Sequence, residues 1–157
     1  MPDLSQTGTV SAARLAVPFS AVLSVLLIGC HDSVGPVAGY YDLTAVDSLA
    51  VPRVVSATSG CDELVIRGVL YLARNALFEL SVIQAQDCTR TGGTVDTFTT
   101  TKSGGFTIDG THLVLHPSGT GIQLTGTTSS GTVDLQLPQL PLVGAAARSA
   151  TFLKFPL

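Results

Sequence analysis

Residues 105–115 read GFTIDGTHLVL, and this stretch decides the class of fold. Phe106-Thr107-Ile108 and Leu113-Val114-Leu115 flank Asp109-Gly110-Thr111. Asp-Gly between two alternating segments is a strong short-range sign of a β-hairpin, because the tight turn demands a left-handed backbone. The same grammar runs outward in both directions. Upstream, Thr94–Thr101 (TVDTFTTT) is rich in β-branched residues, which favour a pleated strand over a helix. Ala76–Gln84 and Leu64–Ala73 are strand-like on either side of Arg74-Asn75, a loop carries Pro52 and Cys61, and Gly39–Val46 (GYYDLTAV) opens the series. Downstream, Pro117–Gly121 is a turn before Ile122–Gly126, and Val133–Leu137 (VDLQL) alternates as a half-buried strand does. Phe152–Phe155 supplies a closing strand, and Leu142–Ser149 reads equally as a short helix or a loop.

Eight or nine short strands with hairpin-length connections predict an all-β, antiparallel up-and-down meander. Consecutive connections without long crossovers favour closure into an up-and-down barrel over a sandwich. Composition agrees. Only 12% of the 157 residues are charged, about half the usual share of roughly 25%, and a closed barrel has no edges for charges to protect. From residue 30 onward the polar surface rests on 17 threonines and 10 serines instead. With 45% hydrophobic residues the chain is not disordered, and a net charge of −3 argues against a nucleic-acid partner.

Leu15–Cys30 (LAVPFSAVLSVLLIGC) carries no charge and follows Arg14, the only Lys or Arg in the first fifty positions. A basic residue followed by a short apolar run is the pattern of a secretory signal peptide. As a helix, Leu15–Gly29 would rise about 22 Å, short of the roughly 30 Å hydrocarbon core. Pro18 interrupts it further. The run ends in Leu27-Ile28-Gly29-Cys30, which resembles a bacterial lipobox. The resemblance implies a diacylglycerol on the Cys30 thiol, cleavage before Cys30, and an acylated N-terminus that holds the protein to a membrane. Several acyl chains on one cysteine anchor stably where one is marginal. The expected organisation is a cleaved signal peptide over residues 1–29, a tether over 30–37 and a β-barrel domain over 38–157. His31 stands where the inner-membrane retention signal of enteric bacteria has Asp, which by that analogy implies the outer membrane, facing the periplasm.

Two cysteines then remain, Cys61 and Cys88. In an oxidising compartment they are expected to pair. Folding the chain symmetrically about Arg74-Asn75 sets them opposite each other. Side-chain phase complicates that symmetry, because Leu64, Ile66, Leu70 and Leu72 form one face and Phe78, Leu80 and Val82 the other strand's matching face. Even numbers must then oppose even numbers. That requires an odd loop with Asn75 left-handed, and a bulge to bring the cysteines back into register. A disulfide here closes a loop of about 27 residues and contributes about 3–4 kcal/mol in the chain-entropy account. Two separate buried thiols are the alternative; zinc fits less well, as there is no CxxC spacing.

Gly39-Tyr40-Tyr41-Asp42-Leu43, Gly68–Leu72 leading to Phe78-Glu79-Leu80, Gly105–Gly110 before Leu113–Leu115, and a terminal Phe152–Phe155 strand together resemble the small lipocalin-like barrels of bacterial lipoproteins. The resemblance implies an eight-stranded barrel, sometimes with a ligand cavity, and no shared catalytic residues. Phe78, Leu80, Phe106, Ile108, Leu113 and Leu135 are the expected lining of such an interior.

Chemistry beyond this is sparse in the sequence. His112 and His116 flank a strand, which separates them by about 13 Å, too far to share a metal. Ser129-Ser130-Gly131 lacks the nucleophile-elbow pattern, and Gly119-Thr120-Gly121 lacks the third glycine of a dinucleotide fingerprint. Asp62 and Glu63 point to opposite faces of a strand and make a poor acid/base pair, with Asp87 able to approach across the hairpin. Pro138–Pro141 reads as a loop. The expectation is a non-enzyme with no cofactor or metal, whose partners are a membrane through acylated Cys30 and either a small apolar ligand or an envelope protein.

Overall fold

The computed structural model describes residues 34–57, 60–119, 122–137 and 147–156. Its strands, in chain order, are β1 (Gly39–Val46), β2 (Leu49–Ala50), β3 (Arg53–Ala57), β4 (Asp62–Leu72), β5 (Leu77–Asp87), β6 (Val95–Asp109), β7 (His112–Pro117), β8 (Leu124–Ser129), β9 (Thr132–Leu137) and β10 (Arg148–Lys154). From β3 onward each pairs antiparallel with the next, and β10 returns to β1. The first half of β1 also pairs with β4, Gly39 opposite Leu72 and Asp42 opposite Val69. That pairing closes an eight-stranded antiparallel barrel in meander order, as the sequence predicts.

Beyond Asp42 the two seam strands part. A bulge between Leu43 and Ala45 bends β1, and another between Val65 and Arg67 bends β4. β2 then continues the sheet on β1 and β3 on β4, filling the gap. The turn between β1 and β2 consists of Asp47 and Ser48, both left-handed (φ 48° and 64°), the two-residue turn whose twist matches its strands.

The inward faces form one contiguous cluster. Tyr41, Leu70, Leu72, Leu113, Leu115, Leu124, Leu135 and Phe152 are its largest fully buried apolar members. Eight strands enclose a space that side chains alone can fill. Such a small barrel bends its strands sharply, and two inward glycines permit it. A β-carbon on Gly104 would collide with the His116 carbonyl oxygen, and one on Gly126 with that of Asp134. The outward positions of the same strands carry Thr97, Thr99, Thr101, Thr125 and Thr127. Apolar inside and polar outside is the reverse of a lipid-spanning barrel.

The structure departs from the sequence reading in three places. Residues 53–57 form β3 rather than loop, since β4 offers them an open edge. Thr94–Thr101 and Phe106–Ile108 are not separate strands but parts of β6, which runs through Gly104-Gly105. Gly104 marks a close backbone approach, within a strand that continues through both glycines. In the β4–β5 loop the left-handed residue is Ala76 (φ 60°) and not Asn75. Ala76 N–H donates to Ala73 O and Ala73 N–H to Leu77 O, so the loop is Arg74-Asn75-Ala76 and its third position carries the positive φ. The odd loop itself is as expected, and the bulge at Ile66 restores the register: Cys61 and Cys88 are joined by a disulfide. The expected helix or loop over 142–149 falls largely outside the described residues, and Arg148 and Ser149 belong to β10.

Ala76 sets up a stability test. A left-handed alanine costs about 1–2 kcal/mol, partly offset by the greater chain entropy that glycine loses on folding. Ala76→Gly is therefore expected to stabilise the protein by about 0.5–1 kcal/mol, read as a raised urea midpoint at unchanged slope.

Candidate functional site

The two ends of the barrel differ in chemistry. At one end lie the β4–β5, β6–β7 and β8–β9 turns and the segment that leads into β1. Val34–Val37, assigned to the tether from sequence, makes a turn there, with Val37 and Ala38 N–H both donating to Val34 O. Val34 and Val37 pack against the core. Tyr41 OH donates to Val37 O at 2.6 Å, and burial raises its pKa above that of a free tyrosine. Lys154 Nζ donates to Pro36 O at 3.0 Å and stands 5.7 Å from the Tyr41 ring centre. This end is capped by its own chain.

Across the outside of β10, β1, β4 and β5 at this end runs an apolar belt. Tyr40 and Tyr71 are cross-strand partners with ring centres 4.4 Å apart. Phe155 N–H donates to Tyr40 O, which brings Phe155 alongside on the β10 side. Leu153 stands opposite Asp42 one row in, and Leu77 lies at the β4–β5 turn. Tyr40, Tyr71, Arg74, Leu77 and Glu79 border an open groove of about 810 Å³.

The opposite end carries ion pairs, beside exposed apolar side chains such as Leu49, Val54 and Val95. Asp47 Oδ2 meets Arg148 Nη1 at 2.8 Å, and Asp47 Oδ1 accepts from Ser149 N–H at 3.1 Å. Arg148 Nη2 donates to Val55 O at 2.7 Å, and Arg53 Nη1 donates to Val46 O. These bonds tie β1, β3 and β10 together where β1 and β4 part. Farther out, the Cys61–Cys88 disulfide joins β4 and β5 beyond their last pair, Asp62 opposite Asp87. Arg90 pairs with Asp62, and Thr91 Oγ1 donates to Gly60 O at 3.1 Å. Asp87 accepts from Thr89 Oγ1 at 2.6 Å and Thr89 N–H at 2.9 Å. The Thr89 hydroxyl first, then its amide, holds the Asp87 carboxyl below the ordinary value, with Arg90 adding to the pull.

Gln84 stands out in the interior. It continues the inward row of Phe78, Leu80 and Val82, is fully buried, and sits beside Val65 in register. Neither Oε1 nor Nε2 has a hydrogen-bond partner among the described residues.

Of the residues singled out from sequence, Phe78, Leu80, Phe106, Leu113 and Leu135 belong to the buried cluster, and Ile108 packs against it half-buried. Cys30, the signal peptide and the first part of the tether lie outside the described residues. His112 and His116 point outward on either side of Val114, and His116 Nε2 lies 3.4 Å from Thr107 Oγ1. Among the described residues no three His, Cys, Asp or Glu side chains gather closely enough to hold a metal ion. Sequence reasoning missed Gln84, although its even number placed it in phase with the apolar face. It also missed the Asp47–Arg148 pair, separated by 101 positions, and the outward belt, which exists only once β1 meets β4 and β10. Comparison with protein families, curated proteins and solved structures finds no significant match.

Two measurements test these environments. An unpaired buried amide costs about 1–3 kcal/mol, so Gln84→Leu is expected to stabilise the barrel by about 1–2 kcal/mol in thermal or urea unfolding. For Asp87 the sign follows from its lowered pKa. Its contribution is present above the unfolded carboxylate pKa of about 3.9 and is lost as pH falls through the lower folded value. Thr89→Ala is expected to bring the Asp87 pKa back toward the ordinary value in an NMR titration.

Proposed function

We propose that the chain is a lipid-anchored lipoprotein of the bacterial cell envelope, whose small barrel is a packed module that works through its outer surface. The observation that carries the packed reading is the single contiguous cluster on the inward faces, which contains five of the six residues expected to line a ligand cavity, with Ile108 packed against it. Anchoring draws on Leu27-Ile28-Gly29-Cys30 and on the disulfide, which suits an oxidising compartment. By the same reading Cys30 carries the acyl chains, and His31 directs the protein to the outer membrane, facing the periplasm. The barrel is then an interaction module for another envelope component, without catalysis of its own.

A second reading, carriage of a small apolar ligand, draws on Gln84. A fully buried carboxamide with no partner among the described residues is a group that a ligand's polar head can satisfy.

One preparation tests both. Labelled palmitate is expected in the native chain and not in Cys30→Ala, and label in both overturns anchoring at Cys30. Native mass spectrometry of the purified acylated chain is expected to show polypeptide plus acyl groups alone. A copurifying apolar mass makes carriage the function.

A further inference from the structure

We infer that the barrel stands on the membrane by the end that carries the tyrosine belt, with Tyr40, Tyr71, Leu77, Leu153 and Phe155 set among the lipid headgroups. The inference rests on the proposed acylation of Cys30 and goes beyond it, because a lipid anchor alone leaves the domain free to tumble above the surface.

The first support is where the chain enters. Val34 packs against the core at this end. Cys30 precedes it by four residues, so the two Cα atoms lie within about 14 Å of each other whatever path the chain takes. Acyl chains on Cys30 therefore keep this end within a short tether of the bilayer.

The second support is composition. Tyr40 and Leu77 are each 52% exposed, Phe155 50% and Leu153 47%. Register makes them neighbours: Phe155, Tyr40 and Tyr71 follow one another across β10, β1 and β4. Aromatic rings with one polar edge, here two stacked tyrosines, are suited to the headgroup layer. Arg74 at the adjoining turn can meet phosphate, and Glu79 and Asp42, the cross-strand partners of Tyr71 and Leu153, are the acidic groups on this face. The far end also exposes apolar side chains, Leu49, Val54 and Val95 among them, but it has no stacked aromatic pair among the described residues and it carries the Asp47–Arg148 and Asp62–Arg90 ion pairs.

The chain contains no tryptophan, so a single introduced one reports its own surroundings. Full-length chain bearing Tyr71→Trp, Leu77→Trp or, at the far end, Val95→Trp is expressed in a lipoprotein-processing bacterium. Acylation of Cys30 is checked by mass. The protein is then reconstituted into vesicles of phosphatidylethanolamine and phosphatidylglycerol with brominated acyl chains. At headgroup depth, the indoles of the Tyr71→Trp and Leu77→Trp chains are expected to emit to the blue and to lose about half their emission to bromine. The indole of the Val95→Trp chain, about 30 Å away along β6, is expected to lose none. Acylated protein in which both belt variants stay unquenched, or in which all three variants are quenched alike, overturns the inference and leaves the anchor standing. A blue shift without quenching means that the belt is covered by a second copy, and overturns it too. Absence of acyl groups on Cys30 overturns the anchor, and this inference with it.

Discussion

Four cross-strand pairs, Gly39–Asp42 against Val69–Leu72, turn a twisted ribbon of strands into a closed wall. Every other feature of the domain depends on that seam. Closure gathers the inward side chains into one buried cluster, and it bends the strands so tightly that Gly104 and Gly126 have no room for a β-carbon. The seam is also short. Past Asp42 the bulges in β1 and β4 send the strands apart, and the Asp47–Arg148 and Arg53 contacts hold β2 and β3 across the opening. Closure at one end and ionic stitching at the other are two parts of one solution. Hydrogen-bonded pairing serves where the strands run together, and charged side chains serve where they do not.

Much of this was legible in the sequence because a strand with one buried face writes its phase into the order of residues. Val133–Leu137 and the Asp109-Gly110 turn are transparent for that reason. The bulge in β4 was legible as well, as a conflict between side-chain parity and cysteine pairing that one extra residue, Ile66, resolves. Other elements were hidden by signals that serve two purposes. Gly104-Gly105 reads as a break, yet the strand continues and needs glycine at 104 because the β7 backbone comes too near. Asn75 has the better residue type for a left-handed turn, but a three-residue loop puts that conformation at its third position, where Ala76 stands. β3 was concealed by Pro52 and Arg53, which suit the margin of a sheet rather than its centre.

The site features were less legible than the fold. Asp47 and Arg148 belong to opposite ends of the chain, and nothing local announces their meeting. Tyr40 and Tyr71 are ordinary residues apart and form a surface only through the closing register. Gln84 was visible in principle, as one polar residue on an otherwise apolar inward row. The two ends of the barrel therefore differ in what is built there, a stacked tyrosine pair where the chain enters and ion pairs and a disulfide at the other.

β6 is longer than the strand beside it. β7 ends at Pro117, opposite Gly104, so among the described strands Val95–Lys102 is paired with β5 alone. Such an edge, with Asp96 and Lys102 as its only charges, invites pairing with a copy of itself. Symmetry limits that risk for copies standing the same way up on one surface. Rotation about the surface normal leaves the vertical component of a strand's direction unchanged, so two such edges can never run antiparallel. A shared floor thereby withholds the more stable of the two pairings that a bare edge can make.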